Sequence, residues 1–204
     1  MGHILTEAQL DHFAHEGLLL IDNFLTNETA QQLLEEAKFW QAEEAFKKAG
    51  IGHLDKLHIQ ENYRADKIKW INKQDCLPAT KIYMNTLEKL MQETSSAFFL
   101  SLKDFESMYA IYPKGSFYKM HKDQFEHQAH RIISLVLYLN EDWQADDGGQ
   151  LVIYKEDEKT IIEPIFNRLA IFKSELWHEV LPCQSERFSV TSWFKDQLNE
   201  VNFL

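Results

Sequence analysis

Leu169-Ala170-Ile171-Phe172-Lys173, Trp177-His178-Glu179-Val180-Leu181 and Arg187-Phe188-Ser189-Val190-Thr191-Ser192-Trp193-Phe194 are three short runs of apolar, aromatic and β-branched residues with brief polar breaks between them. Such runs are too short for ordinary helices, and their residue types fit a pleated, half-buried surface. They read as successive strands. Further runs at 98–102, 105–112, 132–139, 150–154 and 160–163 lie upstream, with breaks at Pro113-Lys114-Gly115, Asp147-Gly148-Gly149 and Asn167-Arg168. That spacing predicts an all-β sandwich or barrel over 97–195.

The first half of the chain reads differently. Thr6-Glu7-Ala8-Gln9 fits a capping box, so a short helix is expected to about His15, with Gly17 placed to end it. An apolar stretch at 18–25 reads as a buried strand, and Thr26 or Asn27 opens a second helix predicted to reach Gly50. Asp66 to Ile71 alternates as a half-exposed strand would, and Pro78 suits the first turn of a third helix carrying Ile82, Tyr83, Leu87, Leu90 and Met91 on one stripe. Residues 1–96 are thus expected to be helical support and lid, residues 97–195 the β core, and 1–204 one domain.

Composition narrows the function. The 204 residues are 45% hydrophobic and 26% charged, which suits a globular protein with one substantial core. A net charge of −11 argues against broad binding to nucleic acid or an anionic membrane. The two cysteines, Cys76 and Cys183, form no disulfide framework and point to a reducing compartment. With neither a signal peptide nor a membrane span in the sequence, the expected location is cytoplasmic.

Chemistry gathers around Tyr118-Lys119-Met120-His121-Lys122-Asp123. In an extended strand His121 and Asp123 project to one face, while Lys122 points away. His178 can join them from a strand folded back alongside. Two histidines and a carboxylate on one side of an ion leave the other side open, which suits non-haem Fe(II) oxygen chemistry. H-x-D alone is a common accident; its combination with a later histidine and with Arg187, all among short strands, is not. In the last strand Arg187 shares a face with Ser189, Thr191 and Trp193, so it meets either water or an anion. Tyr138 falls on the same face as Ser134 and Val136 and can add a phenol to a guanidinium clamp for a dicarboxylate. His53, His58, His127 and His130 read as bystanders in polar segments.

Beyond the metal motif, the chain resembles the 2-oxoglutarate- and Fe(II)-dependent prolyl 4-hydroxylases, in particular the animal enzymes that act on hypoxia-inducible factor and their bacterial relatives. The resemblance rests on Asp22-Asn23-Phe24-Leu25, Arg64-Ala65-Asp66-Lys67-Ile68-Lys69-Trp70-Ile71, Tyr112-Pro113, Tyr118 before His121, Tyr138-Leu139-Asn140-Glu141-Asp142-Trp143, Gly148-Gly149-Gln150-Leu151, Ile162-Glu163-Pro164, His178-Glu179-Val180 and the strand from Arg187 to Trp193. It implies a double-stranded β-helix (jelly roll) buttressed by two or three N-terminal helices. His121, Asp123 and His178 would hold Fe(II). Arg187, Tyr138, Thr191 and Tyr112 would contact 2-oxoglutarate, and Tyr118, Arg131 and Trp193 would line the metal pocket and its entrance. It further implies O2 as cosubstrate, ascorbate as reductant, a proline-containing protein or peptide as substrate, and a loop at 52–63 that closes over it. Lys119, Lys122 and Arg131 suggest a peptide with acidic neighbours. Three rivals stay open: a nucleic-acid demethylase, which would want a second arginine where Trp193 stands; the same iron chemistry on a free small molecule; and a jelly-roll binding protein without turnover.

Overall fold

Thr6 opens the first helix, α1 (Glu7–Glu16), as the capping box requires: its hydroxyl accepts the Gln9 N–H at 3.3 Å, and the Gln9 side chain accepts the Thr6 N–H at 2.9 Å. Gly17 ends it in the left-handed region, donating to Phe13 O. The structure, a computed structural model, describes residues 3–49, 62–74, 76–124 and 129–198. His53, His58, His127 and most of the 52–63 loop fall outside them.

Strand β1 (Leu18–Ile21) is shorter than the expected 18–25 run. Asn23 turns the chain at φ 54°, and Leu25 is then held by one buried side chain, Asn167, which accepts its N–H and donates to its carbonyl. Helix α2 (Asn27–Ala42) starts at Thr26, whose hydroxyl accepts the Thr29 N–H, and stops well short of Gly50. Its apolar face runs out there, Glu44 takes φ 53°, and Lys47–Lys48 forms a short strand, β2. Strand β3 (Lys67–Trp70) pairs with β2.

Helix α3 (Pro78–Ala97) has no cap of its own, because Leu77 occupies the N-cap position. Pro78 needs no acceptor, and the next two N–H groups, of Ala79 and Thr80, donate to the Glu36 carboxylate of α2 at 2.7 and 2.8 Å. A carboxylate there also complements the helix dipole. The expected strand at 98–102 does not form. Phe98 caps α3, Phe99 turns at φ 53°, and Leu100 donates back to Ser95 O, which returns Phe98 and Leu100 to the helix-side core.

Eight more strands follow: β4 (Asp104–Tyr112), β5 (Tyr118–His121), β6 (Arg131–Tyr138), β7 (Leu151–Lys155), β8 (Glu158–Ile162), β9 (Leu169–Lys173), β10 (Trp177–Val180) and β11 (Arg187–Lys195). They build a seven-stranded sheet in the order β1-β9-β6-β11-β4-β3-β2 and a four-stranded sheet in the order β5-β10-β7-β8, antiparallel throughout. This is the jelly-roll architecture. Period-two alternation gives the large sheet two lined faces. Leu135, Leu137, Val190 and Phe194 pack toward the helices with Leu33, Leu87 and Leu90. Val136, Tyr138, Ala170 and Phe172 face the small sheet with Ile153 and Val180. The helices plug one face of the large sheet, which leaves the gap between the sheets for chemistry.

Since Glu36 caps α3 from another helix, Glu36→Ala should lower stability by about 2 kcal/mol, read as a Tm drop of roughly 4–8 °C by thermal unfolding. A drop no larger than that of an exposed control such as Glu35→Ala would refute the capping role.

Candidate metal centre

Residues far apart in sequence become neighbours here through strand pairing. His178 on β10 is the direct antiparallel partner of His121 on β5, so the two imidazoles project from one face of the small sheet. Asp123 follows in a bend just past β5, where its N–H donates to Ser174 O at 3.1 Å. One ligand atom from each of His121, Asp123 and His178 can be chosen so that all lie within 4.8 Å of one another, and all three residues are buried. Each ring is oriented through Nδ1, which donates to a backbone carbonyl: Lys119 O at 2.7 Å for His121 and Leu176 O at 2.9 Å for His178. That fixes the tautomer with Nε2 free to ligate. Burial pushes the His121 imidazole well below its ordinary pKa, so it stays neutral. Burial alone would raise Asp123, yet His178 and His121 outweigh it and hold the carboxyl low, hence ionised. Two imidazole nitrogens and one carboxylate oxygen form a donor set suited to Fe(II).

Arg187 lies deeper, at the start of β11. It is only 3% exposed, and its guanidinium carbon sits 4.8 Å from the Tyr112 ring centre and 5.0 Å from that of Tyr138. Nη1 donates to Ser189 Oγ at 3.3 Å. Arg187 Nε and the Tyr138 hydroxyl are both buried without a partner. Burial raises the Tyr138 phenol to about 12 against the pull of Arg187, so it remains a neutral donor. Two buried, unmet donors in the layer whose Phe172 meets the His178 ring are what a bound carboxylate would satisfy. Gly149 makes room for this arrangement: at φ 71° it would place a Cβ 2.8 Å from Arg187 Cδ and 2.8 Å from Cys183 Sγ.

Around this centre the other expected residues take distinct places. The Tyr118 ring stacks on His121 with centroids 3.5 Å apart at 16°, and Arg64 lies over the Tyr118 ring at 4.3 Å while pairing with buried Asp66 at 2.6 Å. Thr191 is half-buried, opposite Val136 and Met108. Arg131 lies 3.7 Å over the Trp193 ring and pairs with Glu106 at 2.6 Å, while the buried Trp193 indole N–H has no partner. Arg131 is therefore not the free cation that its sequence context suggested, and Lys122 rests 5.0 Å over the Trp177 ring. His130 pairs with exposed Asp196 away from the ligand cluster. Sequence reasoning names none of Arg64, Asp66, Glu106, Ser134 and Ser174 as site residues; the matched Arg64–Ile71 segment and the face shared by Ser134 and Tyr138 are the available signals.

Residues 107–195 match the family model of the 2OG-Fe(II) oxygenase superfamily. The chain is 30% identical over 190 residues to human Egl nine homolog 1, covering 88% of this chain and 44% of that protein. It is 29% identical over 214 residues to human prolyl hydroxylase EGLN3, covering 96% of this chain and 89% of that one. The chain spans about half the length of the Egl nine homolog 1 proteins it matches, 44–55% of each. A Trichoplax adhaerens prolyl hydroxylase, solved with a peptide fragment of the hypoxia-inducible factor oxygen degradation domain, superposes with a TM-score of 0.76 at 26% identity over 92% of this chain and 87% of that one. A Pseudomonas putida prolyl-4-hydroxylase superposes with a TM-score of 0.85 at 35% identity, covering 93% of this chain and 98% of that one. Fold, metal-type cluster and near-complete overlap with that bacterial relative agree: the chain belongs to the 2OG-Fe(II) oxygenase superfamily, in its prolyl hydroxylase branch.

Proposed function

We propose that the protein is a 2-oxoglutarate- and O2-dependent Fe(II) dioxygenase of the peptidyl-proline 4-hydroxylase type, acting on a prolyl residue in a protein or peptide and releasing succinate and CO2. One observation carries this reading: Arg187 Nε and the Tyr138 hydroxyl are buried without partners, and Tyr138 packs in the same inter-sheet layer as Phe172, whose ring meets that of His178 in the His121–Asp123–His178 cluster. When bound there with 2-oxoglutarate and O2, Fe(II) supplies oxidative decarboxylation of the cosubstrate coupled to insertion of one oxygen atom into a substrate C–H bond.

The chain's own groups do the positioning. His121 and His178 present Nε2, because their Nδ1–H groups are committed to carbonyls. Asp123 supplies the anionic ligand. Arg187 takes the distal carboxylate of the cosubstrate in its fork, Tyr138 donates from the side, and Thr191 and Tyr112 complete the walls. Tyr118 excludes water from one side of His121, and Trp193 with Arg131 forms the mouth where the proline is held. A fixed geometry in a dry pocket is what the protein adds to the metal's chemistry. Ascorbate would serve as reductant. The net charge of −11 and the tryptophan at position 193 disfavour a nucleic-acid substrate. Among the described residues no helix is long and apolar enough to cross a membrane. Cys183, a buried thiol in no disulfide, fits a cytoplasmic enzyme, acting as one domain over 1–204.

His178→Ala should abolish succinate release from 2-oxoglutarate, measured with Fe(II) in excess; turnover equal to the parent would overturn the enzyme reading. Arg187→Leu should raise the KM for 2-oxoglutarate by roughly 100-fold, the loss of about 3 kcal/mol of charge-assisted hydrogen bonding, with divalent-metal affinity unchanged. In a host proteome incubated with enzyme, mass spectrometry should find one added oxygen on proline. Succinate release without any such shift would point to a free small molecule instead.

A further inference from the structure

Of the three residues in the metal-type cluster, Asp123 has the least local support. His121 and His178 stand opposite each other in a ladder, and each is fixed through Nδ1. His121 is also stacked on Tyr118, and Phe172 meets the His178 ring edge-on at 4.8 Å. Asp123 lies past the end of β5, in a bend, and rotation about the terminal torsion of a carboxylate is broad and weakly restrained. Something else must hold its oxygens.

That support comes from two serines. Ser134 Oγ, projecting from β6 on the face it shares with Val136 and Tyr138, lies 2.7 Å from Asp123 Oδ2. Ser174, just past β9, lies 2.8 Å from Ser134 Oγ. Both serines are 0% exposed, so water does not compete. Counting protons sets the direction. An ionised carboxylate only accepts, so the single Ser134 proton goes to Asp123. The contact between the two hydroxyls must then carry the Ser174 proton toward Ser134. The result is a one-way chain from Ser174 through Ser134 to Asp123, in which each bond polarises the next. Ser174 is held in turn by its backbone: its carbonyl accepts the Asp123 and Gln124 N–H groups at 3.1 Å each, and its N–H donates to Ile132 O at 3.1 Å. The main chain of Asp123 thus hangs from the short connection between β9 and β10, and its side chain is tied to the same connection through Ser134 of β6.

We propose that Ser134 is a positioning residue for the metal: its hydroxyl fixes the rotation of the Asp123 carboxylate and localises its charge, and Ser174 orients that hydroxyl. This rests on the metal-centre reading above. Hydrogen bonds made to a ligating group from behind govern affinity by one to two orders of magnitude. Glycine or alanine at position 134 would leave a buried carboxylate oxygen facing a void. Threonine would keep the donor.

The test is titration of metal-free protein with Mn(II), following free Mn(II) by electron paramagnetic resonance. Ser134→Ala should bind roughly 10–100-fold more weakly, Ser134→Thr within about threefold of the parent, and Ser174→Ala between the two, because it removes the orienting group and spares the direct donor. The visible absorption bands of the Co(II)-loaded protein should change in Ser134→Ala and coincide with the parent in Ser134→Thr. A serine with only a packing role would lower the Tm of the metal-free protein and leave Mn(II) affinity and the Co(II) bands alone. Ser134→Ala affinity within twofold of the parent, or Ser134→Thr as weak as Ser134→Ala, would overturn the proposal. Should Ser134→Ala fail to fold, Ser174→Ala decides: parent-like affinity there overturns the relay. A parent protein that does not bind Mn(II), or binds it equally well as His178→Ala, would fail the metal-centre reading itself, a distinct outcome.

Discussion

The pairing of β5 with β10, which places His121 directly opposite His178, is the constraint on which the rest of the site depends. Side chains on opposed antiparallel residues share a face and lie only a few ångströms apart. One register therefore does what no local motif can: it joins the two halves of a ligand set separated by 57 positions. A slip of one residue would turn His178 to solvent and bring Trp177 or Glu179 inward. The register is fixed from the other side too, since β10 also pairs with β7, setting His178 against Ile153 within the apolar layer between the sheets. The jelly roll is thus more than a scaffold for the centre. Its hydrophobic alternation selects which side chains can meet.

The same alternation explains how a full positive charge is tolerated in the interior. Arg187 begins β11 opposite Tyr112, and Ser189 lies opposite Tyr138. The guanidinium therefore has an aromatic face on either side and a hydroxyl at one end. Two desolvated cation–π contacts of about 2 kcal/mol each offset part of a burial cost of several kcal/mol. They do not satisfy Nε. The site is held in a state that a bound anion would complete, so fold stability and cosubstrate binding draw on one residue.

Much of this was legible in the sequence because strand period, caps and turn residues are local. The β runs from 105 onward, the capping box at Thr6, Pro78 at the first turn of α3 and the parity of Arg187 with Thr191 and Trp193 all follow from neighbours a few residues apart. The misreadings share a physical cause. The run at 98–102 is apolar enough for a strand, yet it folds back on α3 through the left-handed Phe99. The second helix ends at Ala42 because its apolar face ends, although nothing in its local composition forbids a longer one. Leu25 is held by Asn167 and α3 is capped by Glu36, and such long-range side-chain support leaves no periodic trace. The residues behind the site, Arg64, Asp66, Glu106, Ser134 and Ser174, were passed over for the same reason: their roles exist only once the sheets are closed.

Glu106 shows why that matters for substrate choice. Read along the chain, Arg131 looks like a cation awaiting an acidic peptide. In the fold it is clamped on the Trp193 ring and paired with a carboxylate on the neighbouring strand pair, which Lys195 shares at 3.4 Å. A paired charge attracts an acidic ligand far less than a bare one, and its planar group is spent on stacking. What stays exposed beside this pair is the broad, half-exposed ring of Trp70, 6.0 Å from the buried Trp193 ring. Aromatic surface next to a cation already paired and stacked favours an apolar contact over a charged side chain. The pairing and stacking of Arg131, rather than its formal charge, therefore set what this surface can meet.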